Sequence, residues 1–411
     1  MFMKRKGKSA LLLGLFTAGI TLGACGAGKE EVTLWNPFTG ADGEFFQKIV
    51  DEYNETDPDI KVKNVTVPEM YTKINTVMNS KKDKDIPDLT VIHVERVELF
   101  ESQELLNSME KIMENQPDIN ESNYIDSAWE GGEVDGERYT VPLDVHSSPM
   151  YYNIDLVEKY APDVLDDGVV TIDEIREITP KAKADGIITY PINVEHWTSM
   201  SFTTAQGGSI EKDGLPNLNT PEMKKSLETL KAFVDEGTAQ EDGDDPVQLF
   251  QSGKSVFFQG GTWDVSGHNE IDGLNWGMTN TPVFTPDIIS NWTSSHQFAL
   301  LKKERSEEKL IGIGEFLEFA RENADVWAES GQNVASRAVF EAESYKKYPQ
   351  SFLVNEQREL DSLTIYDFKN NGLTMDSLSP YVRDMVYGRL DISEGLEKAQ
   401  KEADDKIKEG N

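Results

Sequence analysis

Residues 131–143, GGEVDGERYTVPL, and the stretch MYYNIDL at 150–156 decide the architecture. The first reads as a β-hairpin, with Asp135-Gly136 as its turn and Tyr139-Thr140-Val141 as its return strand. The second starts a new strand-to-helix unit only a few residues later, which predicts that the chain crosses from one lobe to another between them. Upstream, VTLW (32–35) is a short strand and NPFTG (36–40) a turn. A helix follows, with Phe45, Phe46, Ile49, Val50 and Tyr53 at helical spacing and Asp42 as its N-cap. A turn at Asp57-Pro58 precedes an alternating strand carrying Ile60, Val62, Val65 and Val67. A helix from about Glu69 to Met78, the charged loop SKKDKDIPD (80–88) and a buried strand from Leu89 to Val94 come next. Strands alternating with helices predict βαβ units and a parallel sheet covered on both faces.

Beyond the crossover the pattern predicts helices near 173–185, 221–236 and 246–252 and an alternating strand from Tyr190 to Val194. Asn275 to Met278 leads through Pro282 and Pro286 to Trp292, and a strand from Gln297 to Leu301 returns to the first lobe. A helix from about Glu307 to Glu322 follows, and the remainder is mostly helical. The expected first lobe is 32–142 plus about 283–337. The second is about 146–280 plus about 340–411.

The first 24 residues place Lys4, Arg5, Lys6 and Lys8 before an apolar run from Leu11 to Ala24. That run is short for a bilayer span and has the form of a signal peptide. It ends in Leu22-Gly23-Ala24-Cys25, which resembles a lipobox, in which cysteine is acylated and becomes the first mature residue. Residues 25–31 then form a lipidated spacer, and the chain is tethered to the membrane rather than spanning it. Cys25 is the sole cysteine, so no disulfide supports the fold. The net charge of -34 becomes four units more negative without the leader's basic residues. Such a surface repels nucleic acid and anionic headgroups and keeps the chain soluble and monomeric.

Taken in order, VTLW, IPDL, GEVDGERYTVPL, MYYNIDL, GKSVFFQGGTW, FALLKK with FLEFA, and NVASRAV resemble the family 1 extracellular solute-binding proteins, the group that contains maltose-binding protein. The resemblance implies a bilobal α/β fold of the periplasmic-binding-protein type, class II, with the ligand in a cleft between lobes joined by crossing strands. It also implies an ABC importer, whose transmembrane permease subunits recognise the closed receptor, and a carbohydrate ligand, mono- or oligosaccharide. Lobes of this kind close by hinge motion, and ligands meet the loops beyond the carboxyl ends of the strands.

Sugars present apolar faces and hydroxyl groups, so aromatic platforms and planar polar side chains at strand ends are the candidates. Trp35, Asn36, Phe38 and Thr39 follow the first strand; Trp35 suits either the ligand or the core beneath the loop. His93 and Glu95 end the strand after Ile86-Pro87-Asp88. Asp144 and His146 sit at the expected hinge, where Asp144 either meets ligand or caps the hinge. Glu195, His196 and Trp197 form a second-lobe loop. Gly260-Gly261 allows close backbone approach ahead of Trp263 and Asp264, and the resemblance puts a tryptophan here against the sugar. Trp292, Ser294, Ser295 and His296 precede the returning strand. Arg337 lies in a variant of the family's Pro-Ala-Ser-Arg pattern in which Val334 replaces proline, and a structural ion pair is its alternative role.

Four of the five histidines fall in these loops, but none shows the tight spacing of a helix-borne metal site, so no metal and no cofactor is expected. Asp163, Asp167, Gly168 and Glu174 partly match a calcium loop. Leu165 breaks that match, and Thr171 with Glu174 reads as a capping box. Gly-x-Ser-x-Gly, phosphate-loop and His-Glu-x-x-His motifs are missing, so binding without turnover is expected. Few Arg or Lys occupy the expected cleft, which disfavours anions. A polyamine or amino sugar is the alternative ligand class.

Overall fold

The computed structural model describes residues 30–80 and 82–409. The leader and Cys25 lie outside the described residues. The opening strand, Glu31–Asn36, alternates exposed or half-buried with buried side chains, and Val32 and Leu34 face the core. It pairs in parallel with Lys61–Thr66 on one side and with Leu89–His93 on the other. The returning strand His296–Leu301 lies antiparallel to Leu89–His93, with His296 opposite His93, and also pairs with Thr140–Pro142. Its six residues are all buried, because helices cover both faces of the sheet. One core forms on the face carrying Val32, Leu34, Phe46, Phe298, Phe316 and Trp327. A smaller core on the opposite face holds Met70, Ile74, Phe100 and Leu301.

The helix Asp42–Glu55 begins one residue earlier than expected: Ala41 occupies the N-cap position and Asp42 the first turn. Asp42 is thereby released toward the interlobe space. The capping box at Thr171 and Glu174 forms as the sequence indicates, with both Thr171 N–H and Oγ1 donating to Glu174 Oε2 at 2.7 Å.

The second lobe is built on a three-stranded sheet in which Met150–Asn153 lies between Phe257–Gln259 and Trp276–Thr279, antiparallel to both. Its core gathers Tyr190, Met200, Phe202, Leu227, Phe257 and Leu378. The expected strand at 190–194 is an extended loop instead. Pro191 lacks an N–H for a ladder, and Gln240 holds the segment by accepting from Ile192 N–H and donating to Ile192 C=O, both at 2.8 Å.

Asp144–Ser147 runs from the first lobe into the second, antiparallel to Asn291–Ser294 and to Asn333–Val334, and Leu363–Ile365 adds a fourth strand beside Asn291–Ser294. These strands are the bridge between lobes. Away from the bridge, Arg96 of the first lobe forks onto Asp376 of the helix Asn371–Val386, with bonds of 2.7 and 2.6 Å. Thr262 donates to Gln332 at 2.7 Å. The lobes are therefore in a shut arrangement.

At Gly331 the backbone has φ +112°, and a Cβ there would stand 2.2 Å from the carbonyl oxygen of Thr262 in the other lobe. Gly331→Ala adds both a wedge between lobes and strain of about 1–3 kcal/mol in the shut form. The expected outcome is a larger radius of gyration by small-angle X-ray scattering, with unchanged far-ultraviolet circular dichroism. An unchanged radius would contradict this role.

Candidate functional site

A cavity of about 420 Å³ lies between the lobes. Three tryptophans supply its apolar side. Trp197 stands at the start of the helix His196–Thr204, Trp263 in the turn Thr262–Asp264, and Trp292 on the bridging strand. Trp197 meets Trp263 edge-on at 5.9 Å and is tilted by 34° to Trp292 at 6.5 Å. Gly261 is required beneath Trp263, since a Cβ there would fall 2.1 Å from the indole. Phe38 completes this side, edge-on to His296 at 4.8 Å.

The polar side is made by His93, His146, His196 and His296 with Asp42, Glu95 and Asp376. Beneath it lies Asp144, fully buried. Its carboxylate accepts from His146 Nδ1 at 3.1 Å, His296 Nδ1 at 2.8 Å, Trp327 Nε1 at 2.8 Å and the His296 N–H at 3.0 Å. Burial alone would raise this carboxyl. The favourable charge and hydrogen bonds of His296 and His146 outweigh it and hold Asp144 well below the usual carboxylate range. Burial depresses His93, which neighbouring His296, His146 and Arg96 depress further. His296 is also lowered, chiefly by burial, against the pull of Asp144. Burial lowers His196 to about 4. Asp42 is pushed up to about 6 by burial and the nearby charge of Asp144. Burial likewise takes Asp264 up to about 7, against the hydrogen bond from Gly261.

Of the residues expected from sequence, Phe38, Thr39, His93, Glu95 and His146 reach the cavity, as do His196, Trp197, Trp263, Trp292 and His296. Others lie just behind the wall. Asn36 accepts from Phe38 N–H at 2.8 Å and so shapes the loop that presents Phe38. Asp264 accepts from Gly261 N–H at 2.9 Å and fixes the Trp263 turn. Ser295 donates to Asp144 C=O at 2.6 Å, and Ser294 to Glu95 at 2.6 Å.

Three residues stand away from the cavity. Trp35 packs into the small core with Met70 and Phe100, because strand alternation turns it to the face opposite Leu34. Glu195 is the backbone N-cap of the helix His196–Thr204, and burial raises its carboxyl. Arg337 bonds Asp126 at 2.6 Å and the carbonyls of Ser122 and Tyr124.

Tyr71, Arg96, Gln332, Met375 and Asp376 also line the cavity, unanticipated from sequence. Arg96 follows the strand end one residue past Glu95. Met375 and Asp376 arrive on a late helix whose approach to the cleft no strand end marks. A second hollow of about 430 Å³ shares Glu95 and is lined by Glu98, Glu130, Asp135 and Asp367.

The profile of the family described as bacterial extracellular solute-binding protein matches residues 48–349. Among curated relatives, the sn-glycerol-3-phosphate-binding periplasmic protein of Brucella melitensis is 22% identical over 420 residues, covering 95% of each chain. Among solved structures, an ABC substrate-binding protein from Listeria monocytogenes in complex with cycloalternan superposes with a TM-score of 0.77 at 17% identity, over 93% of this chain and 100% of that one. Maltose-bound MalE3 of T. maritima gives 0.78 at 18% identity, over 91% and 99%. These likenesses establish the bilobal α/β fold of periplasmic binding proteins, class II. With two lobes, a cavity shut between them and a profile match over most of its length, the chain belongs to the bacterial extracellular solute-binding protein family.

Proposed function

We propose that this chain is the receptor of an ABC importer, capturing a neutral saccharide between its lobes and presenting it to the permease. The observation that carries this reading is the cage of Trp197, Trp263, Trp292 and Phe38 set against imidazoles and carboxylates. Indole faces suit the C–H faces of a pyranose, and the polar side suits its hydroxyl groups. The solved relatives bound to cycloalternan and maltose share this fold.

The Brucella relative is described as binding glycerol 3-phosphate. A phosphate would need cationic partners. Arg96 is the one Lys or Arg among the described residues lining the cavity, and Asp376 already occupies its fork. That pairing favours a neutral ligand. The carboxylates of Asp42, Glu95 and Asp376 favour a polyamine or amino sugar as the second reading. Acylation of Cys25 would hold the monomeric receptor on the outer face of the membrane beside its permease, and the mass of the mature N-terminus tests it. An unacylated terminus would remove the anchor.

Titration of tryptophan fluorescence with maltooligosaccharides is expected to give saturable quenching, and spermidine at low salt none. Trp263→Ala should weaken saccharide binding about tenfold. Saturation by spermidine alone would reject the saccharide reading in favour of the cationic one.

Saccharide affinity should also depend on pH through Asp42. Near pH 5 this carboxyl is mostly protonated, since it titrates at about 6. Deprotonation makes it a stronger, acceptor-only partner for ligand hydroxyls, so affinity rises between pH 5 and 7. Asp144 and His146 act on the same group with opposite sign, and Asp42→Asn isolates its contribution. Parallel pH profiles for the two proteins would contradict the assignment.

A further inference from the structure

The floor of the cavity carries a feature that sugar binding does not require. His93, His146 and His296 each place a ring nitrogen so that the three lie within 4.8 Å of one another. They come from three different strands: the end of Leu89–His93, the bridging strand Asp144–Ser147, and the start of His296–Leu301. Cross-strand pairing fixes them, with His296 opposite His93 and Ser294 opposite His146.

The chemistry of the rings follows from their partners. A carboxylate only accepts hydrogen bonds. Asp144 therefore requires a hydrogen on Nδ1 of both His146 and His296, since each Nδ1 faces one of its oxygens. In the neutral ring that leaves Nε2 as a bare lone pair on each. His93 Nδ1 lies 2.5 Å from the hydroxyl of Tyr71, which leaves its Nε2 unengaged. Among the described residues no hydrogen-bond partner meets Nε2 of any of the three.

A buried carboxylate behind three imidazoles that each bring a ring nitrogen within 4.8 Å of the other two is the arrangement that orients metal ligands and raises their basicity. We infer that His93, His146 and His296 form a site for a divalent first-row transition cation of the Zn²⁺ class, with Asp144 and Tyr71 as positioning residues and a fourth coordination position open to the cavity. Imidazole suits such ions and not Ca²⁺ or Mg²⁺, which take oxygen ligands. Bonds of about 2.0–2.1 Å put tetrahedral ligand nitrogens about 3.3 Å apart. The rings must therefore draw together, and His146 and His296, stacked at 4.1 Å with 27° between their planes, must splay by rotation about Cβ–Cγ. The inference rests on the cavity floor and is independent of the saccharide reading; a solute above the ion would coordinate through the open position.

The test uses the folded full-length chain, stripped with a chelator and titrated with ZnCl₂ by calorimetry and with CoCl₂ by visible absorption. The expected result is one ion per chain, with the intense visible bands of four-coordinate Co²⁺ and displacement of Co²⁺ by Zn²⁺. The pair of substitutions His93→Gln and His146→Gln should abolish both signals, with folding verified by circular dichroism. Asp144→Asn should retain the stoichiometry and weaken affinity about 10- to 100-fold. No uptake at micromolar metal overturns the site. So does uptake that survives the double substitution, which would mark weak binding to surface carboxylates. Saccharide binding measured in the presence of chelator separates failure of this site from failure of the receptor reading.

Discussion

Everything at the centre of this molecule depends on one buried anion. Asp144 sits where the chain leaves the first lobe, fully enclosed, and a carboxylate in that position is tolerated only if its lone pairs are filled. Two imidazoles, an indole and a backbone amide fill them. Breaking such a buried charged arrangement by removing one partner costs about 3–5 kcal/mol in general. The same bonds tie the bridging strand to the returning strand through His296 and to the helix Ala324–Ala328 through Trp327. The hinge region, the first-lobe core and the cavity floor are thereby one hydrogen-bonded unit.

The aromatic wall stands on the far side of this unit and belongs mostly to the second lobe. Trp197 and Trp263 stand on second-lobe elements, whereas the histidine floor is carried by first-lobe strands and the bridge. Opening the lobes separates platform from floor, so a ligand that touches both stabilises the shut form by its differential affinity. Arg96 with Asp376, and Thr262 with Gln332, add direct interlobe bonds. The Arg96 pair is half exposed on its carboxylate side, so water screens it and it acts as a guide to register more than as a source of stability.

The lining of the cavity was partly legible in the sequence, for a physical reason. Strand ends facing a cleft are marked by a change from apolar to polar residues, and Phe38, His93, His146 and His296, read by that rule, line the cavity, as does Trp263, read from the paired glycines and the family resemblance. Trp35, open in the sequence to ligand or core, shares its strand face with Glu31 and Thr33 and packs against the smaller core, which its residue type does not reveal. The stretch 190–194 alternates like a strand, yet Pro191 and the side chain of Gln240 make it a loop. Asp376 and Met375 were invisible because a helix carries no sign of which distant strand end it will approach. The histidines were noticed in the cleft loops, but their convergence was not legible: His93, His146 and His296 lie 53 or more residues apart in the chain, and only strand register brings them together.

The central claim is the protonation pattern that Asp144 imposes. Two-bond ¹H–¹⁵N correlation spectra of the histidine side chains at pH 7, in the presence of chelator, measure it directly. The account requires a hydrogen on Nδ1 of both His146 and His296, each facing an oxygen of Asp144. A bare Nδ1 on either ring would contradict it.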